Sequence, residues 1–185
     1  MAARMFVALV PPQHVVDDLA GFVEPRRSAD DRLRWTRPET WHITLAFMAA
    51  VGERHVDRLL EALAEACERT AAFDLHLGGG GVFPNPAEAR ALWLGVRDGE
   101  PQLAQLADRA RTAAERAGVG VDGARYVGHL TLARARRPFN ATKWLGVVGA
   151  YPGASFRAES VELIESHLND PGHRYETIAR LPLQR

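Results

Sequence analysis

The chain alternates between short apolar runs and longer amphipathic stretches, and the two patterns predict different elements. Short apolar runs, or strict alternation of apolar and polar positions, are typical of β-strands. This pattern predicts strands over residues 5–10, 32–35, 41–48, 73–83, 89–96, 126–135, 160–168 and 173–183.

Apolar residues spaced by three and four positions predict helices over 14–24, 53–70 and 101–117. Pro101 favours the start of the last one, since proline is well accommodated in a first helical turn. The inward faces are expected to be formed by Val15, Leu19, Phe22, Val56, Leu59, Leu60, Leu63, Cys67, Leu103, Leu106 and Ala110.

The order of these elements favours an α+β fold over a doubly wound parallel sheet. Strands and helices are interspersed, and "NDPG" at 169–172 predicts a hairpin between the last two strands. The segments around His42 and His129 head two similar halves in this interpretation, with no linker between them. Substantial antiparallel pairing is therefore expected.

Composition limits the class of partner. The 185 residues are 46% hydrophobic, and 23 basic residues balance 23 acidic ones, so bulk attraction to long nucleic acid is not indicated. Cys67 is the one cysteine, which fits a reducing cytoplasm. No signal peptide or membrane-spanning apolar run is expected, and so no membrane partner.

The chemistry is suggested by a repeated motif. "HITL" at 42–45 and "HLTL" at 129–132 both read His, apolar, Thr, apolar. Because side chains alternate across a strand, each copy presents an imidazole and a hydroxyl on one face and two apolar anchors on the other. If the two strands lie together, the two histidines and two threonines meet in one site.

Such a site fits phosphorus chemistry. One neutral and one protonated histidine can accept a proton on one side of a reacting centre and donate one on the other. Threonine hydroxyls can bind oxygens that gain negative charge. Zinc is the alternative for two strand histidines, but no third ligand stands out in the sequence, so no metal or cofactor is expected.

With these motifs the chain resembles the 2H phosphoesterase superfamily, and within it the LigT-type RNA 2',3'-cyclic phosphodiesterases. The resemblance covers nearly the whole chain. It is carried by "RMFVALVPP", "LRWTRPETWHITLAFM", "GVFPNPAEARALWLGV", "GHLTLAR", "LIESHL" and "YETIARLPL". No departure falls within either motif.

The resemblance implies a bilobal α+β fold, one domain over 1–185 with two pseudo-symmetric, intertwined lobes around a central groove. It implies opening of a 2',3'-cyclic phosphate to a 2'-phosphate, with His42 as proton donor and His129 as proton acceptor. Thr44 and Thr131 are expected to bind the phosphate. The implied partners are RNA termini or nucleotides with a cyclic phosphate, acted on by a cytoplasmic monomer.

Other features are interpreted more plainly. Arg134, Arg136 and Arg137 form a cluster after the second motif. Arg134 is a candidate phosphate ligand, although simple alternation points it away from His129, so it needs a bulge or a strand end to reach the groove. "GGGG" at 78–81 is predicted to be a flexible connection and "GVGVDG" at 118–123 a turn. Phe83 is a base-stacking candidate or a core residue, and the histidines expected to be surface or structural are His14, His55, His76, His167 and His173.

Two alternatives stay open. The same groups could run the reverse reaction and join RNA ends through a 2',5' bond. The fold could also serve as a non-catalytic binder of 2'-phosphorylated nucleotides, although binding alone does not require two titrating histidines.

Overall fold

A computed structural model describes residues 2–167 and 174–185 of the chain. The strands and helices, in chain order, are β1 (Ala2–Leu9), α1 (Gln13–Val23), β2 (Leu33–Trp35), β3 (Ile43–Gly52), α2 (Val56–Glu68), β4 (Phe73–Phe83), β5 (Ala89–Asp98), α3 (Glu100–Arg116), β6 (Leu130–Phe139), α4 (Thr142–Gly149), β7 (Ala154–Ala158), β8 (Ser160–His167) and β9 (Arg174–Pro182). No helix in this part of the chain has both the length and the apolar character needed to cross a membrane.

The strands form one sheet in the order β7-β4-β5-β6-β3-β1-β8-β9, with β2 paired to β6 beside β3. Every pairing between named strands is antiparallel, and β3 meets β6 at one registered pair, Ile43 with Leu130. The expected α+β fold with antiparallel pairing is therefore confirmed. The equivalence of two lobes stays a prediction.

The helices bury the stripes that the sequence indicates. Leu59, Leu63 and Cys67 of α2 are buried, and so are Leu103 and Leu106 of α3. They pack on one face of the sheet with the apolar strand residues of the main core. The opposite face carries polar side chains together with a small apolar cluster of Phe6, Ala8 and Ile164, against which Phe47 packs.

Some element boundaries differ from the expectation. β3 and β6 begin at Ile43 and Leu130, so each motif histidine lies directly before its strand. Helix α4 and strand β7 are absent from the sequence prediction. Helix α4 is short and contains two glycines, and it is stabilised by tertiary burial of Trp144 and Val148 rather than by helix propensity. Strands β8 and β9 pair as the predicted hairpin, whose turn at 169–172 lies outside the described residues.

The four glycines at 78–81 are not a flexible connection, which corrects the sequence interpretation. They lie inside β4, where a Cβ on Gly81 would come within 2.0 Å of the Trp93 ring, and one on Gly80 within 3.1 Å of the Leu145 carbonyl of α4. Glycine is needed here because other elements approach the backbone closely. Residues 118–123, predicted as a turn, lie in the irregular connection between α3 and β6, which begins with a turn at 117–118.

We expect Gly81→Ala to destabilise the fold by about 1–3 kcal/mol, because the added methyl group displaces the half-buried Trp93 ring. The matched control is Gly21→Ala on α1, where nothing lies within 4 Å of the added Cβ. Alanine there should stabilise the helix by about 0.5–1 kcal/mol. Urea unfolding measures both, and equal stability of the two variants would contradict this account of the glycine run.

Candidate active site

A cavity of about 590 Å³ opens on the sheet face opposite the helices, where β3 meets β6. The structure brings all of the site residues named from the sequence to its wall: His42, Thr44, His129, Thr131 and Arg134. The apolar positions of the two motifs point the other way. Ile43, Leu45, Leu130 and Leu132 are each at most 1% exposed.

Each motif strand carries a bulge directly after its threonine. Val7 of β1 pairs with Ala46 and Ala8 pairs with Thr44, so Leu45 is the extra residue in β3. In β6 the extra residue is Leu132, because the neighbouring strand pairs with Thr131 and then with Ala133. A bulge changes which face the following residues occupy.

The bulges explain why Arg134 reaches the site. Without a bulge, alternation would place it on the face opposite His129; with the extra residue it joins Thr131 on the cavity side. Phe47 occupies the equivalent place after the bulge of β3 and also lines the cavity. The repeated unit is therefore six residues long, "HITLAF" and "HLTLAR".

Each motif histidine is held by a hydrogen bond from its Nδ1 to a backbone carbonyl two residues earlier. Nδ1 of His42 lies 2.7 Å from the Thr40 carbonyl, and Nδ1 of His129 lies 2.7 Å from the Val127 carbonyl. A carbonyl only accepts, so each Nδ1 carries the proton and donates. This leaves both Nε2 atoms for the cavity, as acceptors when the ring is neutral and donors when it is protonated.

Each imidazole also lies against two aromatic rings. Phe6 stacks on His42 with ring centres 4.6 Å apart, and Tyr175 meets the same ring edge-on at 5.6 Å. Phe83 lies edge-on to His129 at 4.9 Å, and Trp93 lies 5.6 Å away. Phe83 is thus a neighbour of a site histidine. These contacts restrict the orientation of both rings.

Burial lowers the pKa of His42, and the positive charges of His129 and Arg134 lower it further, against the opposing effect of the Thr40 hydrogen bond. Burial likewise lowers the pKa of His129, opposed by its hydrogen bond to Val127 and reinforced by Arg134. Both rings therefore favour the neutral form near pH 7, and an anion in the cavity opposes this shift.

The cavity is positive although the chain as a whole is neutral. Arg4, Arg37 and Arg134 line it, and no carboxylate does so among the described residues. The guanidinium of Arg4 lies 4.4 Å from the centre of the Phe47 ring. Such a surface fits an anionic ligand of the size of a nucleotide.

Thr36 ties the two motif segments together. Its hydroxyl lies 2.9 Å from the carbonyls of both Thr131 and Leu132, at the bulge of β6, and its backbone N–H donates to Leu132. The same hydroxyl accepts a 2.8 Å hydrogen bond from the indole N–H of Trp41, the residue before His42.

Several cavity residues were not identified from the sequence. Arg4 and Phe6 are two positions apart in β1, so alternation along a strand places them on the same face. Ser166 and Tyr175 reach the site through the pairing of β8 with β9, and no local pattern indicates this. The other described histidines, His14, His55, His76 and His167, lie outside the cavity, and His173 lies outside the described residues.

Several known proteins are similar to this chain in sequence or in fold. A protein called RNA 2',3'-cyclic phosphodiesterase from Methanothermobacter thermautotrophicus is 31% identical over 180 residues, covering 95% of this chain and 96% of the relative. One of the same name from Bacillus subtilis is 30% identical, over 81% and 80% of the two chains. The crystal structure of Escherichia coli LigT with 3'-AMP superposes with a TM-score of 0.81 at 23% identity, covering all of both chains.

A sequence model of the 2'-5' RNA ligase superfamily matches residues 15–170, which include both His-x-Thr motifs. The resemblance to the 2H phosphoesterases is thereby confirmed, and the chain belongs to the 2'-5' RNA ligase superfamily.

Proposed function

We propose that this chain, acting as one domain over 1–185, hydrolyses 2',3'-cyclic phosphates of RNA termini or nucleosides to 2'-phosphates without a metal ion. The observation that carries the proposal is the matched pair of histidines, each with Nδ1 bound to a carbonyl and Nε2 left for the cavity. The names of the relatives support the substrate class. The positive cavity supports an anionic ligand.

The reaction needs one acceptor and one donor. Nε2 of neutral His129 takes a proton from water, whose oxygen attacks the phosphorus. The bond from phosphorus to O3' breaks, and protonated His42 gives its Nε2 proton to O3'. The phosphate oxygens are held by Thr44, Thr131 and Arg134, whose hydrogen bonds and charge stabilise the five-coordinate transition state at phosphorus.

Substrate binding sets the required protonation. In the empty cavity the pKa values of both histidines are lowered, so the protonated donor is scarce near neutral pH. The phosphate anion favours the protonated imidazole and restores the donor. The two rings titrate as a coupled pair in this mechanism.

A second candidate is ligation of RNA ends through a 2',5' bond, which the name of the superfamily favours. The same groups serve it in the same roles: His129 takes the proton of the attacking 5'-hydroxyl instead of that of water, the bond from phosphorus to O3' breaks, and His42 protonates O3'. Incubating the protein with RNA ends that carry a cyclic phosphate and a 5'-hydroxyl, and separating the products, distinguishes hydrolysis from ligation. Absence of any turnover with tight binding would favour the non-catalytic alternative. The monomeric state and the cytoplasmic location stay predictions.

We expect His42→Ala and His129→Ala each to lower kcat by about 10²–10⁴, because each removes one proton transfer. Hydrolysis of adenosine 2',3'-cyclic phosphate is the measurement, and His14→Ala on the exposed surface of α1 is the matched control. Near-normal turnover in either cavity variant, with an unchanged circular dichroism spectrum, would contradict the two-histidine mechanism.

The pH dependence should show the lowered pKa values. In the free protein the pKa of the donor His42 is lowered from its ordinary value of 6.5, so the ring loses its proton at a lower pH than usual. The value of kcat/KM should therefore have a mildly acidic optimum and decline toward alkaline pH. Bound phosphate raises the pKa of the donor histidine, so the optimum of kcat should lie at higher pH.

Both pH profiles should be unchanged in EDTA. Activity lost to EDTA and restored by zinc would instead show a metal-dependent hydrolase.

Thr36 offers a test of positioning. Thr36→Val removes the hydroxyl that holds the Thr131 and Leu132 carbonyls, and we expect kcat to decrease by about tenfold through misplacement of the second motif. Thr36→Ser keeps the hydroxyl and should retain nearly full activity.

The valine variant also leaves the Trp41 indole N–H without its acceptor, which costs about 1–3 kcal/mol of stability. Assays are therefore run well below its melting temperature, beside Trp41→Phe, which removes the same N–H bond but keeps the Thr36 hydroxyl. If Thr36→Val and Trp41→Phe lose activity equally, Thr36 acts through stability and not through the β6 carbonyls.

A further inference from the structure

Two arginines lie directly opposite each other on neighbouring strands next to the cavity. Arg34 of β2 pairs in register with Arg134 of β6, with Leu33 opposite Ala135 and Trp35 opposite Ala133. Residues directly opposite in an antiparallel pair place their side chains on the same face of the sheet. Arg34 therefore shares the cavity face with Arg134, while Leu33 beside it is buried on the other.

This arrangement is unfavourable without an anion. Like charges directly opposite on paired strands repel each other. Neither Arg34 nor Arg134 has an ion pair with a carboxylate among the described residues, whereas Arg32 on the same segment binds Asp30 at 2.6 Å.

More positive charge continues beyond this pair. Arg136 and Arg137 follow in β6, also exposed and without an ion pair in the described part of the chain, and the Arg90 guanidinium donates to the Arg136 carbonyl at 3.2 Å. The end of β6 thus collects several cations in a chain that is neutral overall.

The position of Arg34 relative to the cavity indicates what it binds. Arg134 lines the cavity, and so do Thr36 and Arg37, but Arg34 lies outside the wall, on the side where β2 borders β6. A cyclic phosphate between the two histidines leaves the rest of an RNA strand to continue through the 5' oxygen of its last nucleoside. The next phosphate of that strand is one nucleoside away from the reacting phosphate. It is an anion, and it would lie outside the cavity.

We propose that Arg34 binds the phosphate on the 5' side of the terminal nucleoside, next to Arg134 at the reacting phosphate, so that the protein selects RNA ends over free nucleoside 2',3'-cyclic phosphates. This inference rests on the proposed function and specifies its substrate. Arginine suits the role because its planar guanidinium can form two parallel hydrogen bonds to one phosphate.

The experiment compares adenosine 2',3'-cyclic phosphate with the dinucleotide ApA that ends in the same cyclic phosphate, for the wild type and for Arg34→Gln. Wild type should show the higher kcat/KM on the dinucleotide. Arg34→Gln should lose about tenfold on the dinucleotide, the size of one charge-assisted hydrogen bond. It should keep the wild-type value on the mononucleotide, which lacks the 5' phosphate.

Two controls separate binding from structural effects. Arg34→Lys keeps the charge but not the paired donors, and should fall between the wild type and the glutamine variant. Arg58→Gln removes an exposed arginine of α2 and should leave both substrates unaffected. The decline of dinucleotide kcat/KM with added salt should also be less steep in Arg34→Gln, because one phosphate contact is lost.

Each outcome decides one question. Equal losses on both substrates, or none on the dinucleotide, would overturn the role of Arg34 while leaving the proposed function intact. If the wild type hydrolyses neither substrate, the proposed function fails, and binding of the dinucleotide measured by calorimetry for the wild type and Arg34→Gln still tests the phosphate contact.

Discussion

The pairing of Ile43 with Leu130 is the contact on which the site depends. It is the one registered pair between β3 and β6, and it joins the two halves of the sheet. Both residues are fully buried, so the apolar core holds the two strands side by side. Because side chains alternate, burying these two residues forces the histidines before them to the opposite face. Hydrophobic burial thus sets the positions of the polar groups, and Thr36 adds hydrogen bonds across the same junction.

The residue type that follows each bulge makes the site asymmetric. Both motifs place a histidine and a threonine on the cavity side, and both gain one more residue after the bulge. In β3 this residue is Phe47, and in β6 it is Arg134. The repeated unit therefore supplies a histidine and a threonine twice, while only its copy in β6 adds a charged residue; next to β3 the charge comes from Arg4 of β1, which lies over Phe47. The small side chains of Ala46 and Ala133, both buried at the bulges, leave room for the change in direction.

Charge in the cavity links binding to protonation. Burial and neighbouring positive charge favour neutral imidazoles, and the surrounding arginines favour an anion. An anion bound in the cavity would act in the opposite direction on the two pKa values, and the proposed mechanism uses this effect to generate the proton donor. A neutral ligand would gain neither effect, because it cannot offset the cost of charging a buried ring. The cavity is thus lined by positive charge within a chain whose net charge is zero.

By itself the sequence determined the class of fold, the helical stripes and the pair of His-x-Thr motifs, because these follow from local periodicity and from residue chemistry. It also identified Arg134 as a candidate and the geometric condition for its use. Only the tertiary structure decided that this condition is met, since a bulge depends on how a strand pairs with its neighbour and leaves no mark in local alternation. The same holds for Tyr175, brought to His42 by the pairing of β8 with β9, and for Gly81 of β4, where the ring of Trp93 on the adjacent strand leaves no room for a side chain. Contacts between distant segments are set by the packing of the whole sheet, and short-range patterns do not contain them.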